Sequence, residues 1–170
     1  MLSESARMTT AEQSKFRINA PNSKPRAIKV IALDKRSEDV VKKLAQGSWN
    51  KASFFASVHF DSPPQAGGDW SMKAWLNDLA GRTSKLIDEI NTADLVVMVA
   101  SAGEKAEAAS VIGEAAALKR VMTTALILDR KSSSDDALSN TLLHLRPYAS
   151  MVVVADNDDY IESMLAALRA

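Results

Sequence analysis

Apolar and polar residues alternate in blocks along this chain, and the blocks have the lengths of strands and helices. The most regular stretch begins with an uninterrupted apolar run from Leu95 to Ala100, which is short and rich in β-branched residues. Such a run is typical of a strand that is buried on both faces. A turn of small residues, an alanine-rich helical segment and a second apolar run from Val121 to Leu128 follow. The stretch therefore predicts a βαβ unit with parallel strands and a right-handed crossover.

The rest of the chain repeats this alternation of strand and helix. Further strands are predicted at 27–33, 53–60 and 151–155, where apolar or aromatic residues are concentrated. Apolar residues recur at helical spacing in four more segments, namely 40–45, 76–90, 138–145 and 161–168. The pattern indicates the α/β class: a three-layer, doubly wound (Rossmann-like) parallel sheet of about five strands with helices on both faces.

The chain divides into a polar N-terminal segment and one domain. Residues 1–26 carry five basic and two acidic side chains and hence a net charge of +3. Pro21 and Pro25 near the end of this segment separate it from the first predicted strand. We interpret residues 1–26 as a flexible basic tail. Residues 27–170 are interpreted as a single Rossmann-like domain, because a chain of 170 residues with 46% hydrophobic content suffices for one core.

Composition excludes several classes of function. Lys plus Arg and Asp plus Glu both number 21, so the formal net charge is zero and we expect no nucleic-acid partner. The chain has no cysteine, which excludes disulfides, thiolate nucleophiles and cysteine metal sites. No run approaches the roughly 20 apolar residues of a membrane span, and no secretory leader is recognisable. We therefore expect a cytoplasmic protein.

No catalytic or metal-binding constellation is recognisable. The two histidines, His59 and His144, have no second ligand at a spacing used by metal sites. Neither a nucleophile elbow nor a GxxxxGK[ST] phosphate loop occurs. We interpret both histidines as structural or surface residues, and we expect a non-catalytic protein.

Two turns of the predicted sheet are candidates for binding an anion. The turn at 34–39 follows the first strand. It contains three carboxylates and lacks glycine, and both features disfavour a bound pyrophosphate. Lys35 and Arg36, in contrast, would attract an anion. The favoured interpretation is a solvated turn with Ser37 as the cap of the next helix.

The second candidate turn, 101–107, follows the central strand. Ser101 and Lys105 offer polar groups, and Gly103 is its one flexible point. We expect Glu104 and Glu107 to lie in the first turn of the following helix, where they would complement the helix dipole in place of a bound phosphate.

The order of these segments resembles the GTPase domain of the tubulin/FtsZ superfamily over most of the predicted domain. The strand at 54–58 and the run Ala93–Ala100 are similar to the family's second strand and to the segment that leads to its signature. Residues 112–116 and 145–154 continue the similarity. The resemblance implies a nucleotide-binding fold, GTP or GDP as the ligand, and Asn157 as a contact to the base.

The chain departs from that family where the family binds phosphate. The glycine-rich signature would fall on residues 101–107, where Gly103 alone fits, and the turn after the first strand has no glycine. We also expect no counterpart of the family's second domain and its catalytic acidic loop. The resemblance is therefore to the framework of a degenerate N-terminal GTPase-domain-like segment.

Two functional hypotheses follow. In the first, the chain is a non-catalytic, degenerate nucleotide-binding-type domain that acts by associating with a protein partner or with itself. In the second, it binds a nucleotide or another small anionic ligand at an altered site, alone or as an enzyme subunit. The candidate residues of that site are Lys35, Arg36, Ser101, Gly103, Lys105 and Asn157, which we expect to converge at one edge of the sheet. We favour the first hypothesis and assign no cofactor.

Overall fold

A five-stranded parallel sheet organises the computed structural model, which describes residues 24–56, 72–128, 134–155 and 159–170. Its strands are β1 (Ile28–Ala32), β2 (Ala52–Ala56), β3 (Leu95–Ser101), β4 (Met122–Leu128) and β5 (Met151–Ala155). Its helices are α1 (Lys35–Leu44), α2 (Met72–Asn91), α3 (Ala108–Leu118), α4 (Asp135–Leu145) and α5 (Asp159–Ala167), and a 3₁₀ turn, Arg146–Tyr148, joins α4 to β5. The strands lie in the order β2-β1-β3-β4-β5, and every neighbouring pair is parallel. The predicted doubly wound α/β fold is confirmed.

Two apolar cores lie on opposite faces of the sheet. Helices α2, α3 and α4 pack on one face, through side chains such as Ile90, Ile112 and Leu145. Helices α1 and α5 pack on the other, through side chains such as Val41 and Ile161. All seven residues of β3 are buried, because the central strand of such a sheet is covered on both faces. The three predicted layers are therefore present.

Some of the predicted segments lie partly outside the described residues. β2 ends at Ala56, so positions 57–60 of the strand predicted at 53–60, with His59, are not among them. The same holds for residues 1–23 of the predicted tail and for Asn157.

The start of α1 differs from the prediction. Helix α1 begins at Lys35, and Asp34 is its N-cap, with extended backbone angles and a carboxylate that accepts a hydrogen bond from the N–H of Ser37 at 2.8 Å. Ser37 lies at the third helical position, and its Oγ accepts a hydrogen bond from the N–H of Asp34 at 3.1 Å. These reciprocal bonds form a capping box. The prediction of a turn over 34–39 with Ser37 as the cap is therefore wrong.

The start of α3 also differs from the prediction. Gly103 has a φ of +86°, and the chain continues as a turn until α3 begins at Ala108. Glu107 is the N-cap residue, its side chain makes no capping hydrogen bond, and the first turn of α3 contains no acidic residue. The prediction that Glu104 and Glu107 lie in the first helical turn is therefore wrong, because a turn closed by the hydrogen bond from the N–H of Glu104 to the carbonyl of Ser101 comes before the helix.

Helix α3 lies so close to the 3₁₀ turn that one of its positions requires glycine. A Cβ atom at Gly113 would overlap the Cβ of Tyr148. Gly113 itself is buried. The missing side chain thus permits the contact between α3 and the segment that leads into β5.

One lysine is buried between β1 and α2. Lys29 is 8% exposed, and its Nζ donates a hydrogen bond to Oε2 of Glu89 at 2.7 Å and to Oγ of Ser53 at 3.4 Å. The ammonium group also lies 5.7 Å from the ring centroid of Phe55. A buried charge is tolerated when it is paired and hydrogen-bonded, and these contacts meet that condition.

Candidate functional site

The C-terminal ends of β1 and β3 form the place where a doubly wound sheet binds its ligands. These two strands are neighbours, and the helices that follow them, α1 and α3, lie on opposite faces. The strand order therefore has its topological switch point here, where a crevice opens beyond the strand ends. The N–H of Leu33 donates a hydrogen bond to the carbonyl of Val99 at 2.8 Å and keeps the strands together up to this point. We call residues 33–37 and 101–105 the switch-point site.

A carboxylate of the chain itself lies in the switch-point site. Asp34 is 7% exposed, and its Oδ2 accepts a hydrogen bond from the N–H of Ser101 at 2.7 Å. Its Oδ1 accepts from the Oγ–H of Ser101 at 3.0 Å and from the N–H of Ser37 at 2.8 Å. One side chain thus joins the first turn of α1 to the end of β3.

The carboxylate of Asp34 uses two backbone donors of the kind that bind phosphate in other sheets of this class. In nucleotide-binding sheets a phosphate binds to free N–H groups at a helix N-terminus and in the neighbouring turn, and the helix dipole adds to the attraction. Here the N–H groups of Ser37 and Ser101 both donate to Asp34. The negative charge at this helix terminus therefore comes from within the chain.

The hydroxyl of Ser101 is not available to a ligand. Ser101 is 3% exposed, and its Oγ–H donates to the carboxylate of Asp34. The strand end is held from the other side as well, because the N–H of Ala102 donates to the carbonyl of Leu128 in β4 at 3.0 Å. Ser101 therefore has a structural role in this arrangement.

Gly103 lies in a turn that is attached to α4. Its N–H donates a hydrogen bond to Oγ1 of Thr141 at 3.0 Å, and the hydroxyl of Thr141 donates to the carbonyl of Ala137 at 3.2 Å. A Cβ atom at Gly103 would lie 3.2 Å from the Cβ of Ala137, in a backbone conformation that side chains disfavour. The second candidate turn thus also directs an amide toward the protein rather than toward the crevice.

The cationic candidates lie on the surface. The side chain of Lys35 is 77% exposed and lies 3.6 Å from a carboxylate oxygen of Glu38. That carboxylate also pairs with Lys42 at 2.6 Å, and its hydrogen bond and negative charge raise the pKa of Lys42. The side chain of Lys105 is 88% exposed, and its Nζ lies 3.9 Å from Oε1 of Glu107. Each of the two candidate lysines thus has a carboxylate neighbour.

Arg36 is the candidate cation that reaches the switch-point site. It is exposed, and together with Val40, Ser101 and Leu128 it lines a cavity of about 20 Å³. A volume of this size accommodates about one water molecule. The structure thus brings Arg36 and Ser101 together, whereas the hydrogen bond of Gly103 is to α4, and Asn157 lies outside the described residues.

The residue that dominates this site, Asp34, was not among the predicted site residues. The sequence does contain a signal for it: an aspartate directly after a buried strand, with a serine three positions later, is the pattern of a capping box. Thr141 carries no comparable signal, because its bond to Gly103 joins positions 38 residues apart.

A larger groove lies at the N-terminal ends of β4 and β5, opposite the strand ends that form the switch-point site. It has a volume of about 380 Å³ and is lined by Gly113, Glu114, Ala117, Val121, Thr123, Pro147, Tyr148, Ala149 and Ser150. The hydroxyl of Thr123 is already used, since it donates to the carbonyl of Tyr148 at 2.9 Å. Among the described residues that line the groove, Glu114 is the charged one, and they include no set of convergent groups suited to catalysis.

Comparison with protein-family models and with curated proteins identifies no relative of this chain. No protein-family model matches the chain, and no curated protein is significantly similar to it. Among the described residues, no three histidine, aspartate or glutamate side chains are grouped so as to hold a metal ion. The helices in those same ranges include none that is long and apolar enough to cross a membrane.

Proposed function

We propose that this chain is a non-catalytic Rossmann-like domain that acts by associating with a protein partner or with itself. Its sheet serves as a scaffold, and its switch-point site serves to stabilise that scaffold instead of binding a nucleotide. In this proposal the chain resembles the tubulin/FtsZ superfamily in the framework of the sheet and its helices, and it does not bind or hydrolyse GTP.

The observation that carries the proposal is the position of the Asp34 carboxylate. It accepts hydrogen bonds from the N–H groups of Ser37 and Ser101 and from the Ser101 hydroxyl. A phosphate entering this site would meet a buried negative charge and would find these donors already in use. The electrostatic cost of two anions at one helix N-terminus argues against nucleotide binding here.

The second hypothesis, an altered site for an anionic ligand, has one observation in its favour. Arg36 lies beside Ser101 at the cavity of the switch-point site. That cavity measures about 20 Å³, however, whereas small-molecule sites typically enclose about 300–1,000 Å³. The volume favours the first hypothesis.

Isothermal titration calorimetry of GTP, GDP, ATP and NAD into the full chain tests the proposal. We expect no heat beyond dilution for any of the four. The matched variant is Asp34→Ala, which removes the internal carboxylate and frees the donors of Ser37 and Ser101. Phosphate should then stabilise this variant against thermal unfolding more than it stabilises the wild type, at equal ionic strength.

Two results would contradict the proposal. One is saturable binding of a nucleotide to the wild-type chain, with loss of binding in an Arg36→Glu variant. The other is turnover of any of the four compounds above a control with heat-denatured protein.

A further inference from the structure

The described part of the chain leaves apolar side chains exposed along one edge of the sheet. Strand β5 is at the end of the strand order, with β4 as its partner. The exposed large apolar side chains in this part are Leu118, Met122, Leu143, Met151, Val154 and Tyr160. Four of these lie on β5 or on the helices before and after it: Leu143 on α4, Met151 and Val154 on β5, and Tyr160 on α5.

Strand β5 has a composition that suits an edge strand to pair with a strand of another chain. Its sequence is MVVVA, with neither charge nor proline, and Met151 and Val154 are 50% and 42% exposed. Natural edge strands usually carry a charged residue, a proline or a bulge that blocks pairing with another chain. A five-residue apolar edge without a charge is therefore suited to receive a further strand.

Charges beside β5 favour a second copy in antiparallel orientation. Helix α4 connects the end of β4 to the start of β5, so it runs antiparallel to β5, and both elements are roughly 16 Å long. Exposed Asp135 and Asp136 lie in the first turn of α4, and exposed Arg146 follows its last residue. A two-fold axis perpendicular to the sheet, between the two copies and level with the middle of β5, would therefore bring the acidic end of one α4 to the basic end of the other. In parallel pairing the two-fold axis would run along the strands, so the two α4 helices would lie on opposite faces of the sheet and their charged ends would not meet.

We propose that two copies of this chain associate through β5, in antiparallel orientation, to form a continuous ten-stranded sheet. The association covers Met151 and Val154, and Asp136 of each copy lies near Arg146 of the second copy. This inference rests on the proposed function, because it identifies a second copy of the chain as the partner.

Light scattering after size-exclusion chromatography tests the association. The full chain, of 18.4 kDa, should elute with about twice that mass at high protein concentration. Val154→Lys places a charge on the exposed edge and should return the mass to that of the monomer. The matched control is Leu118→Lys, which changes an apolar residue that is 83% exposed at the end of α3, outside β5 and α4, and should leave the dimer intact.

Charge reversal tests the orientation independently of the strand. Arg146→Asp and Asp136→Arg should each weaken the dimer at least tenfold, because each places like charges together. The variant that carries both changes should recover most of the wild-type affinity. Circular dichroism of every variant shows whether the fold is retained, and if Val154→Lys does not fold, Met151→Lys on the same strand replaces it.

Three results would overturn this inference: a monomeric wild type at every concentration tested, equal weakening by Val154→Lys and Leu118→Lys, or no recovery in the double charge reversal. Capture of a strand from another protein by β5 in a monomeric wild type would also overturn it. A monomer that binds no nucleotide contradicts this inference alone, whereas a dimer that binds GTP contradicts the proposed function alone.

Discussion

Removal of the Asp34 side chain is the perturbation that the structure predicts most sharply. Asp34→Ala deletes the N-cap of α1 and the acceptor of both donors of Ser101 at the end of β3. Helix α1 and strand β3 belong to separate parts of the sequence, so a single substitution should weaken a local helix start and a long-range contact together.

The magnitude can be worked out from the three lost hydrogen bonds. Loss of an N-cap costs about 1 kcal/mol. The N–H and Oγ–H of Ser101 are then buried donors without their acceptor, at about 1 kcal/mol each. The expected loss is therefore about 3 kcal/mol, equivalent to a fall in Tm of roughly 6–12 °C.

Urea unfolding followed by circular dichroism measures this loss directly, as a lower midpoint at an unchanged slope. The control is Asp39→Ala, which removes an exposed carboxylate from the same helix and should change the free energy of unfolding by less than about 0.5 kcal/mol. Asp34→Asn should fall between the two, because an amide oxygen in place of Oδ1 can still accept the bonds from the Ser37 N–H and the Ser101 hydroxyl, while the bond from the Ser101 N–H is lost. If Asp34→Ala cost no more than Asp39→Ala, the structural role of this carboxylate would be refuted.

Two further predictions concern contacts on the other side of the sheet. Gly113→Ala should destabilise the protein by about 2 kcal/mol, because the added methyl group would collide with Tyr148. Gly81→Ala, in α2 with no atom within 4 Å of the added Cβ, should instead stabilise it by about 0.5–1 kcal/mol. Thermal unfolding of both variants measures the difference, and equal shifts in Tm would contradict the close contact at Gly113. Glu89→Ala should lower the free energy of unfolding by about 1–2 kcal/mol, because it leaves the ammonium of buried Lys29 without its carboxylate partner. Lys29→Met should lower it less, because it removes the buried charge and keeps the apolar stem. Urea unfolding of both single variants and of the double variant gives the coupling energy between the two side chains, and a coupling of zero would contradict the ion pair.

The architecture was predictable because hydrophobic burial determines it. The run Leu95–Ala100 is apolar without interruption, and the structure buries the strand on both faces. Helical spacing of apolar residues likewise predicted which segments pack on the sheet, since each helix buries one stripe. Such patterns depend on residue type alone, so one sequence reveals them.

The switch-point site was less predictable because it depends on hydrogen bonds between distant residues. The capping-box pattern marks Asp34 as a helix cap, yet nothing in the sequence of the turn at 34–39 shows that Asp34 is buried while Asp39 is exposed. The difference arises from the donors of Ser101, which are 67 residues away and become neighbours only when β1 pairs with β3. The starts of helices α1 and α3 also depend on contacts of this kind. Both starts were predicted wrongly, at Ser37 for α1 and at Glu104 to Glu107 for α3.

The most direct test of the internal anion is an NMR titration of the amide groups of Ser37 and Ser101. Both amides donate to the Asp34 carboxylate, so their shifts report on what occupies the anion position. We predict that both shifts change in the Asp34→Ala variant and stay constant when GTP is added in large excess to the wild type. A saturable shift of the Ser101 amide of the wild-type chain on addition of GTP would contradict the account.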